Sequence, residues 1–197
     1  PSTVLVVGGG TVGEHAARAA VGAGADVTIL EANGDRLRQL DSLFPTARVL
    51  MSDTHRIEEE LPRADVVVGS VLIPGAAAPK LVRREHLALL KPHALLVDVA
   101  VDQGGCFETT RPTTYHDPVY SVDGIRHYCV ANLPGAVPVT ATQALTHATT
   151  PYVMGLAGGV DAALATDAAL AAGLSTRAGQ LCSPGVAAAF PDLPAAL

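Results

Sequence analysis

The feature that most constrains this chain is a glycine-rich run near its start. Gly8-Gly9-Gly10-Thr11-Val12-Gly13 follows the apolar stretch 3–7 (TVLVV) directly and opens a helical pattern over 12–23. Gly8, Gly10 and Gly13 fit the spacing G-x-G-x-x-G. In that pattern Gly8 allows a tight turn, Gly10 lets the main chain approach a diphosphate, and Gly13 lets the helix pack close to the strand. The unpaired amides at the helix start then face an anion with a partial positive charge behind them. Glu31 ends the second apolar run 18 residues after Gly13. A carboxylate at that point accepts hydrogen bonds from an adenosine ribose. It also favours NAD over NADP, because it would repel a 2′-phosphate, although Arg36 and Arg38 lie close by. No Gly-Lys-Ser/Thr follows the glycines, which excludes a nucleoside-triphosphate loop. The competing reading is a purely structural strand-to-helix turn.

The rest of the first hundred residues sustains this pattern. Stretches 3–7, 26–30, 47–51, 65–68 and 94–99 are short and almost continuously apolar, as strands buried on both faces of a parallel sheet are. Helical spacing of apolar residues over 12–23, 35–44, 55–61 and 84–90 separates them. Such alternation predicts an α/β fold with a doubly wound parallel sheet, whose ligands sit at the carboxyl ends of the strands.

After Val101 the character changes. Residues 102–105 (DQGG) and 111–118 (RPTTYHDP) read as loops, and 126–130 (RHYCV) as a sixth strand. Residues 132–139 hold two prolines and a glycine, the composition of a linker or hinge. Helical patterns follow over 141–157 and 161–172, and the proline-containing C-terminal stretch is expected to be loosely held. The division is therefore placed at 1–133 for the dinucleotide-binding domain and 134–197 for a C-terminal helical segment.

Composition excludes several classes. With 49% hydrophobic and 16% charged residues the chain is not intrinsically disordered. A net charge of -6 argues against a nucleic-acid partner, whose phosphates call for the opposite sign. The three cysteines, Cys106, Cys129 and Cys182, are far apart and odd in number. That speaks against a disulfide framework and fits a reducing cytosol. Seven histidines occur without H-E-x-x-H or a tight His/Cys/Asp cluster, so no metal site is expected. The absence of a secretory leader pattern or a long apolar span predicts a soluble, cytoplasmic protein with no membrane partner.

Other candidates lie at strand ends. Asp98, inside an apolar run, reads as structural. Asp102 follows the fifth strand into the Gly104-Gly105 loop, where a carboxylate could orient water or a substrate amine, pair with a cation, or cap the loop. Residues 70–75 (SVLIPG) either lie against the ribose and nicotinamide side of a cofactor or form an ordinary turn. His116, His127 and His147 read as ordinary surface or hydrogen-bonded residues rather than ligands. Cys106 has no visible base beside it and reads as a small packed residue.

Longer stretches carry a resemblance. GGGTVG, VLIPGAAAPKLV (71–82), VDVAVDQGGCFETTRPTTYHDPVY (97–120) and YCVANLPGAVPVTATQALTHATTPYV (128–153) together strongly resemble the alanine dehydrogenase family. DQGGCFE and VANLPGAVP are much more specific than the glycine turn. The resemblance implies an NAD-dependent oxidoreductase interconverting L-alanine with pyruvate and ammonia, built from a Rossmann domain inserted into a catalytic domain. It implies that Gly8, Gly10, Thr11, Val12 and Gly13 take the diphosphate and Glu31 the ribose. Val71, Leu72, Val99, Ala100 and Val101 would line the ribose and nicotinamide. Asp102 would be the catalytic aspartate, and Asn132 a hinge residue contacting nicotinamide. Glu31 stands where the family usually has Asp, and Leu133 where Met is common.

The family's substrate-binding Arg and Lys and its catalytic His precede the Rossmann strand, at which this sequence begins. The resemblance thus implies a missing N-terminal segment and a C-terminal part that is one portion of the catalytic domain. The chain alone is expected to bind NADH with little or no turnover, and to pack as a homo-oligomer or on the absent segment. The alternative is a non-catalytic NAD(H)-binding module, or a subunit that needs a partner chain.

Overall fold

The computed structural model describes residues 1–73 and 77–196, in two compact units. The first unit comprises Pro1–Ile73 and Ala77–Ala131. Its elements are β1 (Thr3–Val7), α1 (Thr11–Gly22), β2 (Asp26–Glu31), α2 (Gly34–Leu43), β3 (Arg48–Met51), α3 (Thr54–Glu60), β4 (Val66–Gly69), β5 (Leu95–Asp98), β6 (Val119–Val122) and β7 (Ile125–Tyr128). They form one sheet of order β3-β2-β1-β4-β5-β7-β6. All neighbours pair in parallel except β6, which lies antiparallel on β7 at the edge. The chain winds outward from β1 to β3, then returns to place β4 on the other side of β1. That reversal opens a crevice at the carboxyl ends of β1 and β4, where ligands bind in sheets of this kind.

The unbroken apolar character of the strands follows from burial on both faces. Val4 and Val6 join a cluster with Ala17, Leu40 and Phe44 from α1, α2 and the turn after α2. Leu5 and Val7 join the opposite cluster, with Ile57, Leu61 and Leu96. Successive strand residues point to opposite sides, so every position must be apolar when helices cover both.

In the first unit the structure departs from the sequence expectation at one strand and one helix. β6 pairs with β7 through a tight hairpin whose Asp123 and Gly124 have φ of 50° and 83°. Asp-Gly is a strong local signal for such a turn, since both central residues must adopt positive φ. Residues Arg84–Leu89 form a 3-10 helix rather than an α-helix. His86 donates its amide to Arg83 and Leu90 to Leu87, three residues back each time. Runs that short readily tighten in this way.

The second unit spans residues 132–196 and is mainly helical: α4 (Pro138–Ala157), α5 (Val160–Thr166), α6 (Ala168–Ala172), a hairpin of β8 (Thr176–Arg177) and β9 (Gln180–Leu181), and α7 (Pro184–Ala189). α4 begins inside the stretch read as a linker, with Pro138 at its first position, where a fixed φ and a missing N–H cost nothing. The single helix expected over 161–172 is broken at Asp167. Its side chain turns back to accept the amides of Ala169 at 2.8 Å and Leu170 at 3.1 Å, starting α6. The C-terminal stretch is tied in by the Leu181 amide on the Pro194 carbonyl and the Ala196 amide on the Leu181 carbonyl, both at 2.8 Å. Among the described residues, no helix is long and apolar enough to cross a membrane.

Candidate functional site

A cleft of about 1170 Å³ opens at the carboxyl ends of β1, β2 and β4. Gly8, Gly10, Thr11, Val12 and Glu31 form one part of its wall, and Val71 and Leu72, which follow β4, another. Val12 and Leu72 are 48% and 58% exposed, so they add apolar surface to that wall.

The glycines act as their spacing suggests. Gly8 has φ of 99°, which lets the chain turn sharply at the end of β1. A Cβ on Gly13 would lie 1.8 Å from the Gly8 carbonyl oxygen, so only glycine allows α1 to start this close to the strand. A Cβ on Gly10 would meet nothing within 4 Å. It would project into open space at the cleft wall. Gly10 is the N-cap of α1, and no side chain caps that helix end. The first amides of α1 are thus left for an anion, with the helix dipole behind them. Ser70 braces the turn, donating its hydroxyl to the carbonyls of Val7 at 3.1 Å and Gly8 at 2.8 Å.

Glu31 sits beside this turn. Its Oε2 accepts the Gly9 amide at 2.8 Å and its Oε1 the Asn33 amide at 2.7 Å. Each carboxylate oxygen has a second lone pair with which to accept a sugar hydroxyl. Of the two arginines that cast doubt on the NAD preference, Arg38 pairs with Asp35 on the exposed face of α2. Arg36 is at the cleft wall, where its Nε donates to the Gly9 carbonyl at 2.7 Å. Its other end contacts Glu14 at 2.6 Å. That hydrogen bond, with a second from Arg18, holds the Glu14 carboxyl below the usual carboxylate range. Both sides of Gly9 are therefore tied to charged side chains, a pairing that a motif scan does not show.

The next strand end carries Asp102. β4 and β5 are paired in register, Gly69 against Asp98, and the Val99 amide donates to the Gly69 carbonyl at 2.9 Å. Ala100 and Val101 are 8% and 3% exposed, and Val99 packs against the core cluster holding Val6. Asp102 and Gly104 are the exposed positions of this loop. Asp98 is fully buried and accepts the amides of Ala100 at 3.1 Å and Phe107 at 3.2 Å and the Thr110 hydroxyl. Its role is to hold the loop. Asn132 opens the second unit, with φ of 52°. Pro74 and Gly75 of the 70–75 turn lie outside the described residues.

Other chemistry-bearing groups are structural. Burial pushes the Cys106 thiol up to about 11, assisted by the Asp98 charge, so it is protonated near neutral pH. His127 is fully buried between a Thr109 hydroxyl at 2.7 Å from Nε2 and the Ile125 carbonyl at 3.0 Å from Nδ1. Tyr120 stacks on its ring at 4.9 Å. Burial lowers the His127 pKa. Both lysines are engaged within this unit: Lys91 pairs with Asp65 at 2.8 Å, and Lys80 donates to loop carbonyls. Among the described residues, no group of three or more His, Cys, Asp or Glu could hold a metal ion.

The family model described as "Alanine dehydrogenase/PNT, C-terminal domain" matches residues 1–184. The chain belongs to that family. It is 52% identical over 192 residues to an alanine dehydrogenase of Halomonas elongata, covering 96% of this chain and 52% of that protein. Against an alanine dehydrogenase of Mycobacterium tuberculosis it is 52% identical over 189 residues, 95% of this chain and 51% of the other. A solved L-alanine dehydrogenase superposes with a TM-score of 0.82 at 48% identity, covering 98% of this chain and 54% of that one. A transhydrogenase from Sinorhizobium meliloti matches less well, with a TM-score of 0.64 at 30% identity over 72% of this chain and 40% of that one. The chain spans about half the length of the curated relatives it matches. Membership of the alanine dehydrogenase/PNT family accounts for the shared fold.

Proposed function

We propose that this chain is the dinucleotide-binding half of an NAD-dependent alanine dehydrogenase, which interconverts L-alanine with pyruvate and ammonia. The observation that carries the proposal is the uncapped α1 start beside Glu31 in one cleft. The amides of Thr11, Val12 and Gly13 would hold the diphosphate, and Glu31 would accept the adenosine ribose hydroxyls. Val71 and Leu72 continue the wall toward the nicotinamide side, and the resemblance to the family assigns a nicotinamide contact to Asn132. NAD, when bound, supplies a hydride acceptor at its nicotinamide ring. Asp102, exposed at the end of β5, would orient the attacking water and the substrate nitrogen. The Glu31 charge disfavours a 2′-phosphate.

With Lys80 and Lys91 both occupied, neither offers a clamp for a substrate carboxylate, and we assign that clamp to sequence outside these 197 residues. The domain division follows the same assignment, with 1–133 binding the cofactor and 134–197 belonging to the catalytic domain. In the second unit, Leu145, Val153 and Met154 of α4 are 66%, 59% and 66% exposed. These exposed apolar side chains, spread around α4, support assembly with further chain or a second copy. The three free cysteines accord with a cytoplasmic setting.

The test is a domain exchange. This chain replaces the matching half of the Halomonas elongata relative, and NADH formation is followed with L-alanine. Turnover that falls at least a hundredfold on Asp102→Asn, with NADH affinity kept, is the expected result. A folded chimera that binds NADH without turning over alanine would instead identify a non-catalytic cofactor module.

A further inference from the structure

Lys80 joins the dinucleotide cleft to the loop that carries Asp102. It lines the cleft, on a segment that runs beside that loop. The Ala78 amide donates to the Gln103 carbonyl at 3.0 Å, Leu81 to Cys106 at 2.8 Å, and Glu108 back to Val82 at 2.9 Å. The Lys80 ammonium donates to the carbonyls of Gly104, Gly105 at 2.9 Å and Phe107 at 3.4 Å. From within, the buried Asp98 carboxylate gathers the amides of Ala100 and Phe107 and the Thr110 hydroxyl. Gly105 has φ of 80°, and a Cβ there would lie 2.6 Å from Asp98 Oδ2. The loop is therefore gripped by an anion on its amides and a cation on its carbonyls.

We propose that Lys80 is a positioning residue, which fixes residues 99–107, and with them Asp102, against the nicotinamide end of the cleft. This rests on the assignment of the cleft to NAD. Three converging carbonyls present acceptors only, and an ammonium with three donors satisfies them together. A planar guanidinium does not share that geometry. The competing role is a direct charge contact to the diphosphate. The two roles differ in which half of the cofactor each one serves. A diphosphate contact serves ADP-ribose and NADH alike, whereas a loop clamp serves only the ligand with a nicotinamide.

The experiment titrates wild-type, Lys80→Met and Lys80→Gln chains with NADH and with ADP-ribose, and follows amide hydrogen exchange. Lys80→Met is expected to weaken NADH about tenfold and ADP-ribose less than twofold. Exchange should quicken in 99–107 and stay unchanged in 8–13. Lys80→Gln retains two N–H donors and should recover part of the NADH affinity. Equal weakening of both ligands, or unchanged NADH affinity, overturns the proposal. A wild-type chain that binds neither ligand overturns the cofactor assignment instead. The exchange comparison then still decides the clamp, and identical exchange in 99–107 overturns it.

Discussion

Glu31 Oε2 accepts the Gly9 amide at 2.8 Å, which ties the acid at the end of β2 to the glycine turn at the end of β1. The acid and the turn, 22 residues apart in sequence, are thus joined by a hydrogen bond. Replacing Glu31 should disturb both. Glu31→Ala is expected to weaken NADH about tenfold, the scale of one charge-assisted hydrogen bond. It should also narrow any preference over NADPH, because the repelling charge is gone while Arg36 stays. Parallel titrations with NADH and NADPH check this, and an unchanged ratio of the two constants counts against it.

Gly13→Ala should be far more damaging than Gly10→Ala to the fold. The added Cβ would lie 1.8 Å from the Gly8 carbonyl, main chain that cannot move without displacing β1. A loss of about 3 kcal/mol or more is expected, at the upper end of overpacking costs. At Gly10 the Cβ is unopposed, so stability should hold while NADH affinity falls. Urea unfolding of both variants, paired with NADH titration, separates the two effects.

His127 should make stability fall in mild acid. Its pKa is lowered in the folded chain, chiefly because burial disfavours the charged ring. Its stabilising contribution is therefore complete above its ordinary value of 6.5 and is lost as pH falls from there toward the folded value. The melting temperature should drop between pH 7 and pH 5, and His127→Phe, which keeps a ring against Tyr120, should flatten the slope. Melting curves at several pH values decide it, and a variant with the wild-type slope speaks against it.

Thiol labelling offers a further check on the core. Cys106 and Cys129 are buried, and burial raises both thiol pKa values, whereas Cys182 is partly exposed. Iodoacetamide should modify Cys182 readily in the native chain and all three only after denaturation. Mass spectrometry of tryptic peptides would show it, and early modification of Cys106 would contradict this packing.

Much of the first unit was legible in the sequence because its signals are local. Gly8 to Gly13 sit in one turn, and strands buried on both faces are apolar at every position. Glu31 was equally plain, since it ends β2 at a fixed interval from the turn. The edge strand β6 was missed because Val119-Tyr120-Ser121-Val122 is short and half exposed, and its clue lies in Asp123-Gly124 rather than in the strand. The grip of Lys80 on three carbonyls could not be read at all. It depends on a loop 24 residues further on folding back beside the segment that carries the lysine. Asp167 shows the same limit in small: as an N-cap it divides a pattern whose apolar spacing continues without a break.

The most direct test of the cofactor assignment is a calorimetric titration of the 197-residue chain with NADH and, separately, with NADPH. A one-to-one complex with NADH at least tenfold tighter than with NADPH is the expected result. Failure to bind either, or tighter binding of NADPH, would contradict the placement of a diphosphate at the α1 start and of a ribose at Glu31.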